Sequence, residues 1–264
     1  SLGRPIWMFQ LIAGGAVGPD NPLYSYTQGR PKALIDMGGR TMLERVVAAV
    51  QSSSHVEDVV VVGIAPAMAA GLHFARPVAF LPDQDGMVAN MMAGLEWLAR
   101  HRPDAQVILG CSADIPTITG RVVDEFIEAC RPWDMGVYYN FVTRARLEKR
   151  FPDSKRTYSR YGNVEAAGGD MVLARIDVGL RNRPLLESLT AARKQPWRVA
   201  AVVGPRLLIK FLFHRVTFND IEATAQRVLG SPVKIVLDGP PELAMDADKP
   251  FQVDMLRAEF AGGG

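Results

Sequence analysis

"GRPKALIDMGGRTMLERVV", residues 29–47, is the stretch on which the reading of this chain turns. Lys32 directly follows Pro31, a short apolar run comes next, and two glycines turn the chain at 38–39. From Met42 onward apolar residues recur three and four apart, which predicts an amphipathic helix. Proline fixes its own φ and biases the residue before it toward extended backbone, so Lys32 leaves a stiff stem. Alone it is an exposed cation, the ordinary state of a lysine. Its meaning depends on "MFQLIAGGAVG" (8–18) upstream, an apolar run that stops abruptly at glycines.

The chain has 264 residues, 48% hydrophobic and 22% charged, as suits a soluble globular protein with a sizeable core. A net charge of +2 gives no reason to expect a nucleic acid as partner, whereas discrete phosphates held by a few groups are compatible with it. Cys111 and Cys130 lie in apolar contexts without metal-ligand spacing, so buried thiols in a reducing compartment are expected. No window approaches the length of a membrane span and no basic-then-apolar leader opens the chain; no membrane partner and a cytoplasmic location are expected.

Apolar runs of strand length alternate with helical patterns, the mark of a layered α/β sheet. Strands are predicted at 6–13, 56–64, 78–82, 105–111, 134–142 and 170–176, nearly continuous runs expected to be buried on both faces. "GMVANMMAGLEWLARH" (86–101) and "TGRVVDEFIEACR" (119–131) read as helices, the second capped by Thr119. Residues 143–169 are polar, basic and glycine-marked, and are expected to be a binding loop inserted into one domain spanning 1–264. Helices follow at 183–195, 203–213 and 219–229, then the strand "VKIVLD" and a closing helix from Pro250. "LLIKFLFH" (207–214) is expected to be buried, with a partner interface or an apolar acceptor pocket as alternatives.

Four stretches carry chemistry. Gly14 and Gly15 end the first strand, where absent Cβ atoms allow a ligand close to the backbone and turn amides can cradle phosphate. Their spacing with Gly18, and the loop that follows, do not fit a dinucleotide fingerprint. Lys32 suits a phosphate as a point charge. Asp114 in "GCSADIPTI" follows a strand end, where ligands of α/β sheets sit; helix-entry chemistry is the alternative. Asp246 and Asp248 precede Lys249-Pro250, either as helix caps or as oxygen ligands to the same cation.

The order of these elements, with "LIDMGGRTMLERVV" between the second and third, resembles the nucleotidyltransferase family with a glycosyltransferase-A-like fold, nearest its molybdenum-cofactor (MobA-like NTP transferase) branch. Sugar-1-phosphate nucleotidyltransferases are more distant relatives. The resemblance implies a three-layer α/β/α, Rossmann-like architecture with a mostly parallel mixed sheet. It puts Leu11, Ala13, Gly14, Gly15 and Lys32 on the nucleotide, with Lys32 leading into an apolar strand 33–36 that anchors it to the sheet. "LPDQDGMVAN" is similar to the family's base- and ribose-contacting stretch, which makes Asp85, Gly86, Met87 and Asn90 candidates. "SADIP" puts Asp114 on Mg2+, and "DADKP" supplies Asp246 and Asp248. The turn Gly168-Gly169-Asp170 resembles the acceptor side, where Lys155, Arg156 and Tyr158 would join it to receive an anionic group.

The implied activity is Mg2+-dependent transfer of a nucleotidyl group from a nucleoside triphosphate to a phosphorylated small molecule, releasing pyrophosphate. Lys32 and Asp114 are its catalytic pair, and no side-chain nucleophile is required. One departure stands out: the arginine that family members carry soon after the glycine pair is missing, and Arg30 is the first arginine to follow. Either Arg30 takes the role or the triphosphate is held differently. A glycosyltransferase using a nucleotide sugar and a silent nucleotide-binding protein are the competing readings.

Overall fold

The computed structural model describes residues 7–12, 17–191 and 196–261, with backbone alone at 7–12 and 196–199. Eight strands form one sheet: β1 (Trp7–Ile12), β2 (Val56–Val62), β3 (Ala79–Leu81), β4 (Val107–Ser112), β5 (Val137–Thr143), β6 (Ser159–Tyr161), β7 (Val164–Arg175) and β8 (Val233–Leu237). Their order is β3-β2-β1-β4-β7-β5-β8, with β6 hairpinned onto β7. All neighbours are parallel except β7, which runs antiparallel to β4, β5 and β6. The helices are α1 (Tyr24–Thr27), α2 (Met42–Gln51), α3 (Met87–His101), α4 (Gly120–Ala129), α5 (Arg144–Arg150), α6 (Ile176–Arg181), α7 (Arg183–Ala191), α8 (Pro196–Val203), α9 (Pro205–Leu212), α10 (Phe218–Leu229) and α11 (Pro250–Ala261). Among the described residues no helix is long and apolar enough to cross a membrane.

The two-residue period of a strand makes β2 the centre of a three-layer sandwich. Val59 and Val61 pack with Leu43, Val46 and Val50 of α2 and with Val123, Phe126 and Ile127 of α4. Val60 and Val62 face the other way, against Val88, Met92, Leu95 and Leu98 of α3. Burial on both faces therefore holds at β2, as its continuous valine run requires. It fails at β5, where Tyr139 stays exposed. Both cysteines are free and buried, and burial pushes the Cys130 thiol up to about 12.

A third apolar cluster fixes the site's wall. Ile35, Met37 and Met42 pack with Leu147 and Phe151 around α5 and with Val253 and Leu256 of α11. Residues 33–36, predicted as a sheet strand, instead begin with a 3₁₀ turn at Lys32–Leu34, and Asp36 only bridges to Thr41. The turn splits the run between two clusters: Ala33 and Leu34 pack with α2 and the sheet, while Ile35 joins the cluster around α5 and α11. Gly38 and Gly39 take φ near +80°, which glycine adopts without strain, and Thr41 with Glu44 forms a reciprocal cap on α2.

The stretch 143–169 is a loop only at 151–158. It holds α5, β6 and the first half of β7, with Gly162 (φ +61°) in the hairpin. Its polar residues cover exposed faces: Arg144 pairs with Glu148 and Glu165, and Arg150 with Glu242 and Glu259. The helix predicted over 203–213 breaks where Gly204 turns through φ +87° into Pro205. "LLIKFLFH" is likewise exposed rather than buried, because α9 rests on α8 and α10 at the β8 end of the molecule instead of on the sheet. Residues 192–195 of the helix predicted at 183–195 lie outside the described residues.

Candidate functional site

Parallel strands β1 and β4 end side by side, Ile12 opposite Ser112. Antiparallel β7 enters the same rim, and the register that pairs Cys111 with Met171 sets Asp170 beside the end of β4. Two residues beyond β4 comes Asp114, whose carbonyl accepts the Ala247 N–H at 2.9 Å. That backbone bond carries Asp246 and Asp248 to the rim. Gln252 accepts from the N–H groups of Asp248 and Lys249 and donates to the Ser154 carbonyl, fixing the segment against α11.

Lys32 closes the arrangement. Its Nζ donates to Asp114 Oδ2 and to Asp248 Oδ1, each at 2.5 Å. Asp246 is buried and paired with Arg156, and Ser112 Oγ donates to the other oxygen of Asp114 at 2.5 Å. One carboxylate oxygen each from Asp114, Asp246 and Asp248 fall within 4.8 Å of one another. Burial pulls the Lys32 pKa down, but the Asp114 and Asp248 charges outweigh it and raise the pKa, so this ammonium stays charged. Asp170 has the opposite fate. Burial first, then the Asp114 charge, pushes its carboxyl up to about 7, and its Oδ2 has no hydrogen-bond partner among the described residues.

A cavity of about 330 Å³ opens beside Asp170, between α3 and strands β4 and β7. Met87 and Met91 line one side; Gly110, Tyr139, Gly169 and Val172 line the other. Buried Asn140 shapes this wall: its Nδ2 donates to the Met171 carbonyl while its Oδ1 lies where a Cβ on Gly169 would be, 1.5 Å from it. Gly169→Ala is therefore expected to destabilise the fold by about 1–3 kcal/mol through overpacking, read as a lower denaturant midpoint at unchanged slope. A variant as stable as the wild type would mean Asn140 can swing away.

The sequence candidates divide accordingly. Lys32, Asp114, Arg156, Asp170, Asp246 and Asp248 come together. Met87, Gly169 and Asp170 share the cavity. Gly168 sits under the Tyr139 hydroxyl. Asn90 is buried and braces the 83–86 turn, accepting from Gln84 N–H and donating to Asp83, with Asp85 at φ +58° and Gly86 starting α3. Lys155 lies over the Phe251 ring and Tyr158 packs with the α5–α11 cluster, neither forming an ion pair or hydrogen bond with these carboxylates among the described residues. Arg30 is exposed and forms no ion pair among the described residues. Leu11 lies in β1 opposite Cys111, while Ala13, Gly14 and Gly15 fall outside the described residues. Ser112, Asn140 and Gln252 were not singled out from the sequence as site residues; a lone asparagine inside "VYYNFV" was the one local signal.

A family model for the MobA-like NTP transferase domain matches residues 25–231. The chain belongs to that family. A molybdenum cofactor guanylyltransferase of Rhodopseudomonas palustris (strain BisB5) is 35% identical over 97 residues, covering 36% of this chain and 45% of that protein. The chain thus spans less than half the length of that curated relative. A hypothetical transferase from Thermus thermophilus superposes with a TM-score of 0.79 at 29% identity, over 95% of this chain and 99% of that one. A CMP:2-keto-3-deoxy-manno-octonic acid synthetase, solved with CTP, shares the fold at 13% identity with a TM-score of 0.59 over 98% of both chains. The three-layer α/β fold expected from the resemblance is the one these relatives carry.

Proposed function

We propose that this MobA-like family member is a nucleotidyltransferase that moves a nucleotidyl group from a nucleoside triphosphate to a phosphorylated small molecule and releases pyrophosphate. The observation that carries the reading is Lys32 held between Asp114 and Asp248, three residues distant in sequence that meet at the carboxyl ends of β1 and β4. An acceptor phosphate oxygen attacks the α-phosphorus, a new P–O bond forms, and the bond to the bridging oxygen breaks as pyrophosphate leaves. Such a transfer asks the protein mainly for positioning and charge neutralisation.

The donor set fits Mg2+. Four carboxylates (Asp114, Asp170, Asp246, Asp248) face two cations (Lys32, Arg156), and hard carboxylate oxygens spaced within 4.8 Å suit an octahedral ion. Asp114, Asp246 and Asp248 would hold it, and when bound it supplies charge stabilisation at the α-phosphate and the departing pyrophosphate. Lys32 supplies a fixed positive charge to the same phosphates. Arg156 holds Asp246 in place, and Ser112 orients Asp114. Leu11, Ala13, Gly14, Gly15 and Arg30 take the triphosphate; Asp85, Gly86 and Asn90 shape the base side. The acceptor seats in the cavity between Met87 and Asp170, a placement that favours a group with an apolar or planar face.

The test is pyrophosphate release with Mg2+, each of the four common nucleoside triphosphates and a panel of phosphorylated acceptors, beside Asp114→Asn. Release that requires one acceptor and collapses in the variant is expected. Tight triphosphate binding without release would favour a silent binder, and turnover of a nucleotide sugar would favour a glycosyltransferase.

A further inference from the structure

We propose that α9 and the residues after it form a docking face for an anionic lipid surface. The ground is an inverted amphipathic helix. On a helical projection, Pro205, Leu208, Ile209, Phe211 and Leu212 share one arc, and Arg206, Leu207 and Lys210 share the other. A helix of a globular protein ordinarily buries its apolar stripe. Here Arg206, Leu207 and Lys210 line a groove facing α10, and Lys210 Nζ donates to Asp220 at 2.6 Å. The apolar arc looks out: Ile209 is 55% exposed, Phe211 69%, Leu212 73% and Phe213 70%. Four large apolar side chains in one short segment are a patch, not scattered surface residues.

Charge selects the occupant. From Arg193 to Arg215 the sequence holds six cations (Arg193, Lys194, Arg198, Arg206, Lys210, Arg215) and no aspartate or glutamate. Removing these six from the 30 Lys and Arg leaves 24 against 28 acidic residues, so the rest of the chain is net negative at −4. Within the described part of that stretch, Arg206, Lys210 and Arg215 accompany the exposed Ile209, Phe211, Leu212 and Phe213 with no acidic residue among them. Arg206 and Arg215 are exposed, with no ion pair among the described residues. A groove of about 630 Å³ lined by Arg206, Lys210 and Arg227, with Asp220 as its single carboxylate, opens behind the apolar arc.

A second copy of this chain would bring the same cations face to face across a two-fold axis, which disfavours self-association here. An anionic bilayer answers both properties: apolar side chains enter the headgroup boundary while arginines meet lipid phosphates. The position agrees with access for substrates, since α9 sits on α8 and α10 at the β8 edge, whereas the carboxylates lie at the ends of β1 and β4. This departs from the expectation, drawn from the sequence totals, of no membrane partner; the inference is of surface binding and does not depend on the activity proposed above.

The experiment is co-sedimentation of the full chain with phosphatidylcholine vesicles, with and without phosphatidylglycerol, over a range of salt. Binding only to the phosphatidylglycerol vesicles, weakening as salt rises, is expected. Phe211→Ser with Leu212→Ser should lower the bound fraction at least tenfold at every salt concentration, roughly the effect of removing two buried apolar anchors. Arg206→Glu with Arg215→Glu should lose binding chiefly at low salt. Circular dichroism melts that match the wild type show that both variants fold. The inference fails if the wild type ignores both vesicle types, binds phosphatidylcholine alone equally well, or binds undiminished with the serine pair. It also fails if sedimentation velocity shows a dimer that the serine pair splits and that vesicles do not displace.

Discussion

Lys32→Ala is expected to lower the rate of pyrophosphate release by about 10²–10³-fold, the size of effect that follows loss of one fixed group stabilising transition-state charge. The other cation at the cluster, Arg156, is already held by Asp246. Lys32→Arg should recover little, because a planar guanidinium cannot take the place of a compact ammonium set 2.5 Å from oxygens on both sides. The same substitution leaves Asp114 facing Asp248 without its cation, a cost of about 1–2 kcal/mol for a pair that is only partly buried. The melting temperature should therefore fall modestly while the rate collapses. A large drop in stability with near-normal turnover of the surviving protein would assign Lys32 to the architecture instead of the chemistry.

The second large effect is on stability, and its sign runs against the usual acidic residue. The Asp170 carboxyl is raised from the ordinary 3.8 to about 7, by burial first and the Asp114 charge next. Between those values the folded protein keeps a proton that the unfolded chain has released, so stability falls as pH rises through that window and levels off above it. Asp170→Asn removes the penalty while keeping the shape. Measured with a chelator present, the variant should exceed the wild type by on the order of 3 kcal/mol at pH 8 and match it near pH 4. Little else is lost, since Oδ2 has no hydrogen-bond partner among the described residues. A variant less stable than the wild type at pH 8 would show that the ionised form is the one the fold favours. Stability gained in this way should come with lower activity, the ordinary trade at a site held under electrostatic strain.

Local pattern carried much of the architecture. The valine run of β2 announced burial on both faces, and the three-and-four spacing from Met42 announced α2, because both signals arise within a few residues of chain. What was lost is what needs the third dimension. Lys32 meets Asp114 across 82 positions and Asp248 across 216, and no spacing rule predicts such contacts; the order of motifs nominated these residues for one site but not their pairing. The α9 stretch shows a second kind of limit. Its amphipathic period is plain in the sequence, but periodicity says that a helix has two faces and not which one meets the protein. Residues 143–169 misled in part because polar composition was taken for irregular backbone throughout, whereas only 151–158 are irregular and charges such as Arg144 and Arg150 sit on exposed faces of α5.

The single reversed strand has a consequence for how such an enzyme could diversify. Every other strand of the sheet presents its last residues to the rim; β7 presents its early ones, Gly168 to Asp170, having arrived from α5 and the β6 hairpin. Insertions between β5 and β7 are thus spliced upstream of the cavity wall, across β4 from β1 in the sheet order. On the proposed function, retyping the β6 hairpin and the approach to Gly168 would change what is accepted, provided Arg156 stays on Asp246. In such a layout a lineage would exchange acceptors as one changes the jaw of a vice, keeping the one bolt, Arg156, that ties the jaw to the screw.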